Sequence, residues 1–248
     1  MTMKVIVSFT TTPPRMKYLN DIITPLMLQT CHEVWVNIPQ KYNRFPEWDG
    51  QLPDLSHFGS KLKINRDCED LGPGTKFMGP APFLDPEDLI VYVDDDTCYD
   101  PKLVTNLLKW FMTDTKSAWG LSGFSFEKYF KGHFPRQHGV PYDVLEGYGS
   151  VIVKARWLQR VLPEFKELLE VTWHDDMLLC NLFEKYGIKR KTVYVQECNL
   201  GQIKQFQYGF EADALHHVAG IGGHMTNNMQ ILKNLEHKGK NYFTFKCS

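Results

Sequence analysis

LIVYVDDDTCY, residues 89–99, is the stretch whose reading decides the fold. Leu89, Ile90, Val91, Tyr92 and Val93 make a short apolar run, which predicts a strand buried on both faces of a sheet. The run ends in Asp94, Asp95 and Asp96. Three adjacent carboxylates at the end of a buried strand repel one another and lose hydration unless a cation sits among them. A hard divalent ion, Mn²⁺ or Mg²⁺, suits that place, because it takes oxygen ligands, keeps some waters and completes its shell with substrate phosphates. The competing reading is a solvated acidic turn, since Asp also favours loops and helix caps. The strand before the triplet and a helix predicted to begin near Pro101 favour the cation seat.

The 248 residues are enough to bury a substantial core in one large domain or two small ones. With 43% hydrophobic and 23% charged residues, the chain has the composition of a folded globular protein. Lys and Arg (28) nearly balance Asp and Glu (29), so no global basic field exists to attract nucleic acid. The aromatic fraction, 13%, suits a protein that stacks on sugars and equally a well-filled core. Cys31, Cys68, Cys98, Cys180, Cys198 and Cys247 form no CxxC pair and no metal-like spacing. No run approaches the ~18 apolar residues of a membrane span, and the first residues lack a secretory-signal pattern. Reduced thiols and a cytoplasmic setting are the expectation, with any membrane anchor left to a partner or a further segment.

Outward from the triplet, the chain reads as alternating strands and helices. Residues 4–9 (KVIVSF) predict a first strand, followed by a polar loop, TTTPPR, at 10–15. A helix is expected over 16–29, with Leu19, Ile22, Ile23 and Leu26 on one face and Pro25 as a kink. Residues 32–38 alternate and predict a second strand, which completes a strand–helix–strand unit. Residues 39–60 read as loop and 61–65 as a third strand. The turn DLGPGTK (70–76) lacks the full GxxxxGK[ST] spacing and so is not a P-loop. A short helix over 77–84 is expected next.

Beyond the triplet, a helix is expected over 101–111 and a strand over 118–124. Residues 126–143 carry Tyr129, Phe130, His133, Phe134, His138 and Tyr142 among Gly and Pro, and read as an aromatic loop or lid. A strand at 151–153, a helix over 155–162, a helix over 175–186 stopped by Gly187, a strand at 191–195 and a last helix over 227–237 complete the pattern. No repeat, low-complexity tract or linker divides the chain, so one α/β domain is predicted. In an open α/β sheet, loops at the carboxyl ends of the strands converge on one crevice. The loop after strand one, the triplet and the acidic pair Asp175-Asp176 would then face one another. A cation held by Asp94 and Asp96 would neutralise a diphosphate and make it a better leaving group.

A strand ending in DDD, an HDD triplet opening a later helix and a late His together resemble nucleotide-sugar-dependent glycosyltransferases of the GT-A fold. SFTTTPPR, DLGPGTK and VDDD follow in the order seen in small GT-A enzymes such as those encoded by chlorella viruses, and the likeness runs from Val7 to His224. Each motif is short, and the specificity lies in their order. The resemblance implies a single GT-A (Rossmann-like) domain with a central, mostly parallel sheet flanked by helices. Its nucleotide-binding half would span about 1–100 and its acceptor-binding half about 101–248. It implies a Mn²⁺ (or Mg²⁺) cofactor, a nucleotide-sugar donor (UDP by default) and a glycan acceptor, and a viral source would make the setting host cytoplasm.

Residue by residue, the resemblance implies that Asp96 is a direct metal ligand and that Asp94 reaches the metal, a metal-bound water or the ribose, with Asp95 between them. Thr10, Thr11 and Arg15 match the loop that holds base and diphosphate, and Lys76 stands where a cation would meet the diphosphate or fix the loop. Asp176 is the expected general base and Asp175 the alternative, because DDMLL matches an EDxxL spacing only to within one residue. The plain alternative for both is helix capping. His224 is favoured over His217 and His216 to close the metal shell, the Gly-Ile-Gly-Gly before it offering backbone N–H groups to a diphosphate. Gly147, Gly149 and Ser150 would shape the floor under the sugar, or simply allow a tight turn into a strand.

Two other classes remain open on sequence. A metal-dependent nucleotidyltransferase or phosphohydrolase also holds Mg²⁺ on adjacent aspartates, but the former usually has a Gly-rich basic loop where this chain has TTTPPR. A non-catalytic carbohydrate-binding domain would use the aromatic loop and would not need Asp175-Asp176 as well.

Overall fold

A computed structural model describes residues 3–126, 137–194, 204–205 and 225–244. In chain order the elements are β1 (Val5–Thr10), α1 (Leu19–Met27), β2 (Glu33–Asn37), β3 (Leu62–Asn65), α2 (Thr75–Met78), β4 (Leu89–Tyr92), β5 (Thr97–Cys98) and α3 (Leu103–Phe111). There follow β6 (Ser117–Gly120), β7 (Gly123–Phe124), β8 (Val144–Leu145), β9 (Val151–Lys154), α4 (Ala155–Leu168), α5 (Asp175–Lys185), β10 (Lys189–Thr192), β11 (Lys204–Gln205) and α6 (Met225–His237).

Seven strands form one sheet in the order β10-β6-β9-β4-β1-β2-β3. Within it β1 pairs in parallel with β2 and β4, β2 with β3, and β10 with β6, whereas β9 runs antiparallel to both β4 and β6. This is the expected α/β, Rossmann-like layout, a mostly parallel sheet flanked by helices. Every residue of β4 and β9 is buried, as continuous apolar runs in a sheet covered on both faces must be. Chain order reverses where β1 meets β4, and in open α/β sheets the ligand crevice lies outside the carboxyl ends of the strands at such a switch point.

Local corrections have physical causes. The first helix starts as a 3-10 turn at Pro13–Tyr18 and becomes α-helical only at Leu19, because Pro13 and Pro14 donate no backbone hydrogen bonds. Helix α4 runs through Pro163 to Leu168 because Val161, Phe165 and Leu168 continue the buried stripe, and packing outweighs the lost backbone bond. The strand expected over 118–124 is two, β6 and β7, interrupted at Leu121 and Ser122. Gly187 does stop α5, with φ +67° and the Ile188 N–H donating to Phe183 O at 2.8 Å.

The described part of the aromatic loop covers a sheet edge. Thr192 N–H donates to Val140 O and Gly139 N–H to Thr192 O, so residues 139–141 shield the outer side of β10. His138 stacks on Trp110 with centroids 3.6 Å apart. Tyr129, Phe130, His133 and Phe134 lie outside the described residues.

Candidate active site

The turn DLGPGTK is fastened from below. Gly74 lies so close to Phe165 that a Cβ there would be 2.6 Å from its ring, and Phe77 packs edge-on against the same ring at 5.5 Å. Burying each such ring stabilises the fold by roughly 1.5–3 kcal/mol, so the turn is held as firmly as the core. Ser8 Oγ, in the middle of β1, donates to Lys76 O at 2.5 Å, and accepts from Asn37 Nδ2 at 2.8 Å. Asn65 Nδ2 then donates to Asn37 Oδ1 at 2.9 Å. This buried polar seam crosses β1, β2 and β3 and sets the backbone of Lys76 beside the crevice.

From there the Lys76 side chain reaches the carboxylates. Its Nζ stands 2.8 Å from Asp94 Oδ1 and 2.9 Å from Asp175 Oδ2, the second contact an ion pair off the line of a hydrogen bond. Lys76 is only 4% exposed. Burial opposes its charge, but Asp175, Asp94 and Asp176 outweigh that and hold the ammonium well above the ordinary lysine range. Lys76, expected to meet a diphosphate or to fix the loop, here pairs with carboxylates on both sides of the site.

The three aspartates are handled differently. Asp95 is buried, with its Oδ1 2.5 Å from Arg15 Nη1 and its Oδ2 accepting from Thr11 Oγ1 at 2.7 Å. Burial raises the Asp95 carboxyl, and Arg15 and Thr11 oppose the rise. Arg15, Thr11 and Asp95 thus lock the loop after β1 to the end of β4. Thr10 turns away, its hydroxyl donating to Asn37 O at 2.7 Å, so the structure gives it a part in strand pairing.

Asp94 and Asp96 keep contact with solvent, their side chains 29% and 16% exposed. Burial and the repulsion of Asp94 and Asp95 push the Asp96 carboxyl up to about 7, although Arg15 at 3.5 Å opposes the shift. Like charges facing solvent with too little positive charge between them are what a hard cation relieves, and the donors are all oxygen. The residues fit Mn²⁺ or Mg²⁺. Among the described residues no three His, Cys, Asp or Glu side chains converge as a ready-made cage for a metal ion. His216, His217 and His224 lie outside the described residues.

Across the crevice, α5 begins with the acidic pair. Its N-cap is His174 and no side chain caps the helix, so neither aspartate serves as a cap, although both lie where the helix dipole favours negative charge. Asp176 Oδ2 accepts the Gly147 N–H at 3.0 Å, while its Oδ1 is buried with no hydrogen-bond partner among the described residues. Burial, then the adjacent Asp175, raise the Asp176 carboxyl well above its usual range, with Lys76 opposing. Burial pulls the His174 imidazole below its ordinary range despite Asp175 and Glu146, so His174 adds no positive charge at neutral pH.

Glycines let these groups meet. A Cβ on Gly147 would fall 2.6 Å from Lys76 Nζ and 3.1 Å from Asp176 Oδ1. On Gly149 it would fall 2.5 Å from Ser122 Cβ, so close packing requires Gly at this position. Ser150 adopts φ +76°, a strained conformation for a side chain, and its buried hydroxyl has no hydrogen-bond partner among the described residues.

Sequence reading missed several parts. Tyr99 takes the Asp94 N–H on its hydroxyl at 2.9 Å and donates to Tyr148 O at 3.0 Å, bracketing the triplet against the turn before β9. Ser122 donates to Glu146 Oε2 at 2.6 Å and lies 3.0 Å from the Tyr148 hydroxyl. β5 pairs antiparallel with β11, tying the residues after the triplet to a much later segment. Only the placement of Asp and Gly in short clusters hinted at any of this.

The four described cysteines, Cys31, Cys68, Cys98 and Cys180, are free thiols. No helix among the described residues is long and apolar enough to cross a membrane. No family model and no curated protein matches the chain in sequence. Among solved structures it is similar to the 2-C-methyl-D-erythritol 4-phosphate cytidylyltransferase (IspD) of Francisella tularensis, at 12% identity and TM-score 0.46 over 78% of this chain and 90% of that one. It is also similar to a 4-diphosphocytidyl-2C-methyl-D-erythritol synthase, at 10% identity and TM-score 0.46 over the same shares. Likeness at this level decides nothing about chemistry, which rests on the side chains themselves.

Proposed function

We propose that this chain is a metal-dependent glycosyltransferase that moves a sugar from a nucleotide-diphosphate donor to a hydroxyl of a glycan acceptor. One observation carries the reading: Lys76 joins the carboxylates at the end of β4 to the acidic pair of α5 across a crevice at the strand-order reversal. The donor would lie over the nucleotide-binding half, residues 1–100, between the loop after β1 and the triplet. Thr11 and Arg15 hold Asp95 in place, and Asp94 and Asp96 are the residues that would bind Mn²⁺ or Mg²⁺. Such an ion, when bound, neutralises charge on the departing diphosphate.

The acceptor would approach from residues 101–248, where the acidic pair lies. Asp176 is the proposed general base. Its bare Oδ1 can accept the proton of an acceptor hydroxyl as that oxygen attacks the anomeric carbon and the nucleoside diphosphate departs. Asp175 is ion-paired with Lys76 and is the alternative base. A buried acidic pair favours sugar transfer over nucleotidyl transfer to a phosphate, whose attacking oxygen carries no proton that must be removed.

The test is thermal shift with UDP-, GDP- and CDP-sugars, with and without Mn²⁺, followed by product analysis. Stabilisation by one nucleotide diphosphate only when metal is present supports the reading, through the linkage of binding to stability. Release of a sugar 1-phosphate in place of a nucleoside diphosphate would establish nucleotidyl transfer, and glycan binding without turnover would leave a carbohydrate-binding domain.

A further inference from the structure

We infer that Lys76 is an internal competitor for the cation seat, and that the acidic pair sets how strongly it competes. The inference rests on the reading of Asp94 and Asp96 as that seat. Lys76 Nζ lies 2.8 Å from Asp94 Oδ1, so a divalent ion that takes this oxygen repels the ammonium and competes with it. The ammonium has little freedom. Its backbone carbonyl is tied to Ser8 Oγ, its helix is pinned beneath Phe165, and Gly147 lies so close that even a methyl group would be 2.6 Å from Nζ.

One direction remains open, toward the acidic pair. Asp175 Oδ2 is already 2.9 Å from Nζ. Asp176 is 9% exposed, and its partnerless Oδ1 flanks the same small space beside Gly147 as Nζ does. A cation arriving at Asp94 therefore hands the ammonium to Asp175 and Asp176. Lys76 is a positioning residue that links the donor side of the crevice to the acceptor side, with no bond made or broken.

Binding of Mn²⁺ alone to the full chain, followed by calorimetry and by the electron paramagnetic resonance of free Mn²⁺, tests this without turnover. Lys76→Met should tighten Mn²⁺ binding roughly fivefold or more. Asp175→Asn should weaken it by a similar factor, although Asp175 is no metal ligand, because the ammonium then settles on Asp94. Combined with Lys76→Met, Asp175→Asn should lose its effect, since there is no ammonium left to redirect. A purely long-range charge effect would instead be additive, and additivity overturns the inference. If Lys76→Met fails to fold, Asp175→Asn alone decides, measured in about 0.5 M salt, where long-range fields are screened. Weakening that persists there supports competition, and unchanged affinity overturns it. Equal affinity of wild type and Lys76→Met overturns the inference and spares the seat, whereas no Mn²⁺ binding in either protein overturns the seat as well.

Discussion

Two groups of aspartates face each other across the crevice, and the same side chain is used in opposite ways. At the end of β4, charge is managed by partial exposure: Arg15 and Thr11 take Asp95, and Asp94 and Asp96 are left toward solvent. At the start of α5, charge is managed by burial: Lys76 leans on Asp175, a backbone N–H takes one oxygen of Asp176, and the other oxygen has no partner. A partly exposed cluster of like charges invites a cation. A buried carboxyl beside another invites a proton. The difference lies in what each carboxylate is packed against, and the proposed function would use it to divide the labour between holding a leaving group and removing a proton.

The contrast breaks most visibly at Asp96. Asp96→Ala should abolish metal-dependent binding of a nucleotide diphosphate, and unchanged affinity by calorimetry would remove Asp96 from the seat. Next in size, Asp176→Asn should leave donor affinity intact and lower transfer roughly 10²-fold or more, a loss of general-base magnitude. If Asp175→Asn does this and Asp176→Asn does not, the base is the neighbouring residue.

A smaller effect concerns pH. The Asp96 carboxyl moves from 3.8 to about 7, so the folded, metal-free protein holds its proton more tightly than the unfolded chain does. That contribution to stability is complete below about pH 4 and is lost as pH rises through about 7. Asp96→Asn, which cannot ionise, should therefore be the more stable at pH 8, by on the order of 2 kcal/mol after allowance for sharing among the three carboxyls. The advantage should vanish near pH 4 in denaturant melts without metal, and an advantage independent of pH would deny the repulsion. Smallest of all, Ser150→Gly should relieve backbone strain and add about 1 kcal/mol, seen as a rise of roughly 2–4 °C in Tm. A lower Tm would mean that the Ser150 side chain has a role in packing.

Much of the scaffold was legible because it depends on near neighbours in the chain. The apolar runs at β1, β4 and β9, the stripe Leu19, Ile22, Ile23 and Leu26 of α1, and Gly187 after α5 were all placed from periodicity and residue type. Errors fell where local rules met distant packing. Pro163 reads as a helix end, yet Phe165 is needed under Gly74, and α4 continues to supply it. Residues 137–143 read as part of a loop or lid and are irregular, but their backbone also completes hydrogen bonds that β10 would otherwise leave open at its edge.

The candidate site divides in the same way. Asp94, Asp95, Asp96, Asp175 and Asp176 were singled out by sequence because clustered carboxylates demand an explanation wherever they fall. Thr10 and Thr11 looked equivalent there. Only the register of β1 against β2 sends Thr10 to Asn37, while Thr11 reaches Asp95.

From its sequence alone the chain is bound to form an α/β sheet with an acid triplet at a strand end, because hydrophobic periodicity and charge clustering act over a few residues. Which aspartate keeps its charge, which lies open to solvent and which meets Lys76 was decided only when β1, β4, α2 and α5 came together. Desolvation and Coulomb forces depend on separation in space, and no pattern along the chain encodes the 2.9 Å between Lys76 and Asp175.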